Sequence, residues 1–299
     1  MSRQMRGSLL LLITTMIWGA AFVAQSEGMR YVGPFTLQTA RFLIAGIFLL
    51  PIAAVRGRKG ASGSPPLSRE DKKRHVLCGI VCGTFLFIGS SLQQFGLRYT
   101  SIGKSGFISA LYVLFVPLLG VLRGKKIGLR IWLCVFLALI GLYCLCVPDS
   151  LQINLGDILT LLCAVGFSFQ ISYIGNVCES LDGIRLSCVQ SFTCCFLSAV
   201  GMLLTEQPTF SGILSAWLPI GYAGFFSSGI AYTLQILGQK DVRPTLASLI
   251  MSLESVFAAL FGWLIVRQTL SSDELIGSAI MFLAIVLAQL PEKKREQAG

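Results

Sequence analysis

The sequence is short of charge. Asp, Glu, Lys and Arg make up 13% of the 299 residues, against roughly 25% in a soluble domain, too little polar surface to cover a water-soluble globule. Histidine is almost missing. His75 is the only one, and it sits at the edge of an apolar block, where it makes a poor partner for an intramembrane serine nucleophile. No GxxxxGK[ST] stretch is present, which argues against ATP as the energy source. No cluster of Asp residues falls inside an apolar block, as a lipid-phosphate enzyme would want. The ten cysteines all lie in or beside apolar segments, and none forms a CxxC pair near a histidine. They read as small packing residues rather than as metal ligands or a disulfide framework. The chain is therefore read as a non-enzyme without metal or cofactor.

Long apolar runs are what the sequence has instead. A helix needs about 20 mostly apolar residues to cross a bilayer. Ten blocks of that kind are legible, near 7–25, 35–55, 76–97, 102–122, 131–147, 156–177, 184–204, 213–237, 244–266 and 274–290. Arg3 and Arg6 ahead of the first block could mark a signal peptide, but nine further blocks make retention as a first membrane helix the better reading. Connections are short except for the polar stretch 56–74, which reads as a loop.

The net charge of +10 is explained by topology rather than by nucleic acid. If the N-terminus is cytoplasmic and every block crosses once, 19 Lys and Arg fall in cytoplasmic segments and 4 in outer ones, with Arg41 inside a helix. Such a bias fits the positive-inside rule, and it predicts a multi-pass protein of the cell membrane with both termini in the cytoplasm.

An internal repeat is also visible. At an offset of 142 residues SLQQFGLR (Ser91–Arg98) lies over TLQILGQK (Thr233–Lys240), and Gly120 falls on Gly262. At an offset of 149, Gly7 meets Gly156, Trp18 meets Phe167 and Arg41 meets Gln190. Five helices per half is an odd number, so the second half enters the membrane reversed. The expected fold is an all-α integral membrane protein of ten transmembrane helices, arranged as two inverted five-helix repeats over residues 1–150 and 151–299. Inverted repeats recur in secondary transporters.

The segments IWGAAFVAQ (Ile17–Gln25), LQTARFLIAG (Leu37–Gly46), LYVLFVPLLG (Leu111–Gly120) and SLIMSLESVFAALFGW (Ser248–Trp263) resemble, in order and spacing, the EamA-type, ten-helix branch of the drug/metabolite transporter superfamily. The resemblance spans nearly the whole chain. It implies a secondary transporter, often a metabolite or amino-acid exporter, with a cavity between the two repeats. Two positions depart from the family pattern. Arg267-Gln268 stands where members often have Gly-Glu, and Ser255 stands where a proline often follows the carboxylate.

Ionisable groups within the membrane are costly and mark function. Two qualify. Glu254 is the candidate for proton or cation coupling, or for gripping an amine. Arg41 either binds a substrate carboxylate or plays a structural or gating part, and the resemblance favours the second. Tyr112 is the offset partner of Glu254 and shares a helix face with Ser105 and Ser109. Gln93 and Gln235 are offset partners and the first choice as cavity residues. Ser228, Tyr232, Gln235 and Gln239 form a stripe on the eighth block; Ser90, Gln93 and Gln94 cluster on the third; Ser168, Ser172 and Asn176 share a face of the sixth, with Gln170 and Tyr173 on another. Trp18 and Phe167 are candidate cavity walls. The expected substrate-binding set is Glu254, Gln235, Gln93, Tyr112, Tyr232, Gln170, Trp18 and Arg41. The leading reading is secondary active export of a small organic solute such as an amino acid. Proton-coupled efflux of cationic or drug-like amines is the alternative, and a channel or receptor is the alternative of another class. The expected partners are a small solute and the lipid bilayer, with no nucleic acid; the oligomeric state, monomer or oligomer, stays open.

Overall fold

A computed structural model describes residues 2–59, 68–100, 102–146, 154–266 and 272–290, and among them every regular element is helical. In the first half these are α1 (Arg3–Gly28), α2 (Pro34–Lys59), α3 (Arg69–Gly96), α4 (Ile102–Ala110), α5 (Tyr112–Leu122) and α6 (Leu129–Cys146). The second half has α7 (Leu155–Val177), a short 3₁₀ turn, α8 (Gly183–Thr205), α9 (Phe210–Ser215) and α10 (Trp217–Tyr222). A π-helical segment (Ala223–Ala231) leads into α11 (Tyr232–Gln239), followed by α12 (Pro244–Met251), α13 (Glu254–Val266) and α14 (Ser272–Gln289). Seven helical spans among the described residues are long and apolar enough to cross a membrane, and Leu129–Cys144 and Leu275–Gln289 are shorter apolar helices.

Local chemistry sets the helix starts. Ser2 and Ser68 accept from backbone N–H groups three residues on, at 3.1 Å each. Asn154 and Asp157 form a reciprocal capping box on α7, Asp182 caps α8, and Pro244 opens α12; each satisfies or removes an orphan donor of the first turn. The cap at Ser68 also corrects the reading of 56–74 as a loop. α2 runs on to Lys59 and α3 begins at Arg69, and residues 60–67 lie outside the described set.

The packing is inside out relative to a soluble protein. Gln38, Gln94, Gln190, Ser90 and Ser187 are fully buried, while Leu77, Phe136, Phe196, Leu203 and Leu264 are exposed. Lipid offers hydrogen-bonding groups no partner, so polar side chains turn inward and apolar ones face out.

Three expected blocks are not uniform helices. Within 102–122 and 244–266 the backbone ladder tightens to i→i−3 bonds, Leu111 N to Ile108 O at 3.2 Å and Leu253 N to Ile250 O at 3.1 Å. Leu111 and Leu253 are 142 residues apart, so both interruptions fall at the offset partner of the other. The block 213–237 is divided into α9, α10, the π segment and α11. Pro219 lacks an N–H for the ladder there, and an extra residue explains the π segment. A Cβ on Gly83 would meet Gln190 O at 2.7 Å and the side chain of Thr193; a Cβ on Gly224 would meet Arg41 O at 3.1 Å and the side chain of Ile44. Gln190 and Thr193 are the 149-offset partners of Arg41 and Ile44, so Gly83 and Gly224 occupy equivalent places, 141 residues apart. By Ser91 and Thr233 the offset is 142. The π winding takes up the additional residue.

Offset partners pack in matching ways. α2 and α8 run antiparallel: Phe35 N and Thr36 N each donate to the Glu206 carboxylate at 2.8 Å, and at the other end Arg56 lies 3.5 Å from Asp182. Gln38 Nε2 donates to Ser91 Oγ at 2.9 Å, and their partners Ser187 and Thr233 are joined by a Thr233 Oγ1 donation at 2.8 Å. Two close helix crossings also match. A Cβ on Gly7 would sit 2.7 Å from Gly238 O, and one on Gly156 would sit 2.7 Å from Gly96 O. Overpacking such a crossing costs about 1–3 kcal/mol. Gly96→Val and Gly238→Val are each expected to lower the thermal midpoint of the detergent-purified protein by several degrees. Gly221→Ala, where a Cβ meets nothing within 4 Å, is expected to leave it unchanged.

Candidate functional site

The helices enclose a narrow polar cavity at the centre of the bundle, with about 30 Å³ of room for water-sized groups. Trp18 on α1, Arg41 on α2, Gln93 on α3 and Tyr112 on α5 line it from the first half. Gln170 on α7, Tyr232 and Gln235 on α11 and Glu254 on α13 line it from the second. All eight residues singled out from the sequence thus border the same space.

Glu254 and Tyr112 meet directly. The Tyr112 hydroxyl donates to Glu254 Oε1 at 3.1 Å, and both side chains are buried. Each residue begins a helix just past the tightened turn at Leu111 or Leu253. A carboxylate at a helix start is favoured by the unsatisfied N–H groups there. The bond joins two offset partners, so it spans the seam between the halves.

Arg41 is tied to the first half. Its Nη1 donates to Gln25 Oε1 at 2.6 Å, its Nη2 donates to Gln38 Oε1 at 2.9 Å, and its guanidinium carbon lies 4.8 Å from the centroid of the Phe42 ring. Gln38 carries the chain on to Ser91. In the second half an amide chain stands at the equivalent level. Gln235 Nε2 donates to Gln170 Oε1 at 3.2 Å, and Gln170 Nε2 donates to Gln190 Oε1 at 3.3 Å. Trp18 and Tyr232 stack at a tilt, with centroids 4.9 Å apart. Trp18 Nε1 and Gln235 Oε1 are buried without a side-chain or backbone partner among the described residues.

Several other expected polar residues serve packing. Ser168 bonds to Ala164 O at 2.6 Å, Ser109 to Gly106 O at 3.1 Å and Gln239 Nε2 to Ile171 O at 2.9 Å, while Lys125 reaches Asn176 at 3.2 Å. His75 ties α3 to α8, its Nε2 accepting from Asp182 N at 2.8 Å and its Nδ1 donating to Asp71 O. Among the described residues no group of three or more His, Cys, Asp or Glu side chains could hold a metal ion.

Two polar cavity residues were not singled out. Gln25 shares one face of α1 with Trp18, Ala21 and Phe22, a spacing of 18, 21, 22, 25 that could have found it. Ser227 was hidden by the π segment. In an α-helix Ser228 would share a face with Tyr232, whereas the wider π turn brings Ser227, five residues before Tyr232, to the cavity. π segments of this kind often mark functional sites.

An all-helical bundle with an apolar exterior and a polar cavity at its heart is the arrangement of a solute-carrying membrane protein. Comparison with known proteins makes that specific. The EamA-like transporter family matches twice, over residues 5–147 and 154–290, and the chain belongs to that family. An uncharacterized transporter of Archaeoglobus fulgidus is 30% identical over 94% of this chain and 84% of its own length. The uncharacterized inner membrane transporter YedA of Escherichia coli K12 is 26% identical, covering 92% and 87%. A WAT1-related chloroplastic protein of Arabidopsis thaliana is 27% identical, covering 92% and 67%. A solved crystal structure shares the fold with a TM-score of 0.76 over 95% of this chain and 96% of that one, at 18% identity. The protein is a membrane transporter and not an enzyme, and its partners are a small solute and membrane lipid.

Charge-assisted hydrogen bonds are worth about 1.5–3 kcal/mol each, and a lysine cannot span both amides that Arg41 bridges. Arg41→Lys is expected to lower the thermal midpoint. Gln25→Ala added to it is expected to cost at least about 0.5 kcal/mol less than Gln25→Ala in the native chain, as measured by a double-mutant cycle of melting curves.

Proposed function

We propose that the protein is a secondary active exporter of a small organic metabolite such as an amino acid, working by alternating access between two inverted five-helix repeats around the central cavity. Ten transmembrane passes, with both termini in the cytoplasm of a cell-membrane protein, complete this reading. The observation that carries it is the cavity itself. One buried acid, one buried guanidinium and a set of amides and aromatic rings converge from both halves of the chain on a single space. The antiparallel run of α2 against α8, the matched glycine crossings and the two family matches support a pair of related halves lying in opposite senses. Helices interrupted beside a central site are a recurrent feature of carriers built from such repeats. The charge bias of 19 to 4 supports the orientation.

In this reading Glu254 is the coupling and amine-binding group, because among the described residues it is the one carboxylate lining the cavity. Tyr112 holds it, Gln93 and Gln235 face the solute from opposite halves, and Trp18 and Tyr232 form an aromatic wall. Arg41, saturated on two sides by Gln25 and Gln38, shapes the cavity and leaves its remaining donors for a solute carboxylate. A second reading is proton-coupled efflux of a cationic amine. It draws on the same carboxylate and on the Trp18–Tyr232 ring pair, since aromatic faces attract organic cations.

A thermal-shift screen of the purified protein against a metabolite library tests the site. Amino acids are expected to stabilise it, and the shift is expected to vanish in Glu254→Gln and in Gln235→Ala, both of which stay folded and inserted. Stabilisation by the same solutes that persists in both variants would remove the cavity from the account. Glu254→Gln is further expected to abolish transport of such a solute, and full transport by that variant would end the coupling role.

A further inference from the structure

Two ion pairs join the halves of the chain beside close glycine crossings, one at each end of the bundle. At the end where α1 begins, Arg6 donates to Asp241 Oδ2 through Nη2 at 2.6 Å and Nε at 2.9 Å. At the opposite end Lys104 Nζ donates to Asp157 Oδ2 at 2.7 Å and Thr100 Oγ1 to Asp157 Oδ1 at 2.8 Å. That these are opposite ends follows from contacts along α2. At one end Arg56 meets Asp182, which also binds His75 of α3, and Lys240, next to Asp241, donates to the neighbouring Leu181 O; at the other the Phe35 ring lies 5.0 Å from Phe95 of α3, next to Gly96, which meets Gly156 beside Asp157.

Each pair guards one of the matched crossings. Arg6 adjoins Gly7 and Asp241 follows Gly238, the two glycines of one crossing; Asp157 adjoins Gly156 and Thr100 follows Gly96, those of the other. The crossings are equivalent under the sequence offset, but the charges are not. The offset partner of Arg6 is Leu155, that of Asp157 is Ser8, and that of Asp241 is Tyr99. The same device has been assembled from different residues at two equivalent places. Duplication alone does not produce that; a requirement acting separately at each end does.

The two ties differ in strength. Asp157 is 6% exposed at its side chain and accepts from Lys104, Thr100 and its own capping partner Asn154 N. A charge taken out of water is held firmly only when its acceptor sites are filled in this way. Arg6 is 60% exposed against 9% for Asp241, so that tie is open to solvent and to screening by salt.

We propose that Asp157 and Asp241 are the gate residues of the transporter, each locking one end of the central cavity through a charged tie across a glycine crossing, with the Arg6–Asp241 end the first to open. They act through helix position and do not touch the solute, so they are positioning residues. The inference rests on the alternating-access reading above. It adds which side chains hold each end shut and which end yields first. If the halves rock as rigid bodies, the ends are coupled: releasing one tie opens its own end and commits the other to stay closed.

Hydrogen–deuterium exchange of the full-length protein in lipid nanodiscs tests this without any solute. Asp157→Asn is expected to speed exchange about tenfold at the ends of α3 and α7 that meet at Gly96 and Gly156, and to slow it at the Gly7–Gly238 end. Asp241→Asn is expected to do the reverse. A merely structural tie would loosen its own neighbourhood and leave the distant end unchanged, and that result overturns the proposal. If either variant does not fold, raising salt on the native chain serves instead. Exchange should rise at the Arg6–Asp241 end and fall at the other; an unchanged Lys104–Asp157 end, a rise confined to that end, or no change at all overturns it. Reciprocal exchange in a protein that carries no solute in a flux assay would remove the transport reading and keep the coupled ends. Saturable flux with non-reciprocal exchange would do the opposite.

Discussion

A polar atom that enters the hydrocarbon has to find its partner within the protein, and the rest of this structure depends on how that demand is met. Gln38 finds Ser91, Ser187 finds Thr233, Tyr112 finds Glu254, and Arg41 finds Gln25 and Gln38. Most of these bonds draw two helices together, and most of them pass the walls of the central cavity. The polar residues that a soluble protein would spend on its surface are here the fastening of its interior. The same fastening leaves Trp18 Nε1 and Gln235 Oε1, beside the cavity, without a side-chain or backbone partner among the described residues. Atoms in that condition are what a bound solute or an ordered water can satisfy.

Matching positions in the two halves share backbone arrangement more than chemistry. Glycines 7 and 156 and glycines 96 and 238 repeat the same close approach, and the ladder tightens at both Leu111 and Leu253. Yet Glu254 stands where the first half has Tyr112, and Arg41 stands where the second has Gln190. The segment Ala223–Ala231 winds as a π-helix where its counterpart in α3 is regular. In the proposed alternating access, a duplicated frame would supply two conformations related by exchange of roles. Unlike side chains within that frame would then let the cavity bind one kind of solute and distinguish its two ends.

Much of the site is legible in the residues alone, because offset pairing converts sequence into spatial relation. Pairing Tyr112 with Glu254 and Gln93 with Gln235 points to one central space without knowledge of helix packing. Gln38 lies three residues before Arg41 and so shares its face; Gln25 comes from another helix, and no local spacing announces its bond to Arg41. The breaks at Leu111 and Leu253 fall at ordinary leucines and leave no compositional mark. The π segment is hidden for a stronger reason. One added residue changes the offset from 141 to 142, a difference that becomes visible only when Gly83 and Gly224 are seen against equivalent backbone carbonyls. That one residue turns the expected face around. It brings Ser227 to the cavity and leaves the buried Ser228 without a hydrogen-bond partner among the described residues.

The central claim is that the cavity opens to one side at a time. Counterflow in proteoliposomes measures that property most directly. Vesicles holding the purified protein are loaded with unlabelled amino acid and placed in a trace of the labelled form. The account predicts transient accumulation of label above equilibrium, with an initial rate that saturates with concentration and is absent from empty vesicles. Label that merely equilibrates, at a rate proportional to concentration without saturation, would describe an open pore and contradict the account.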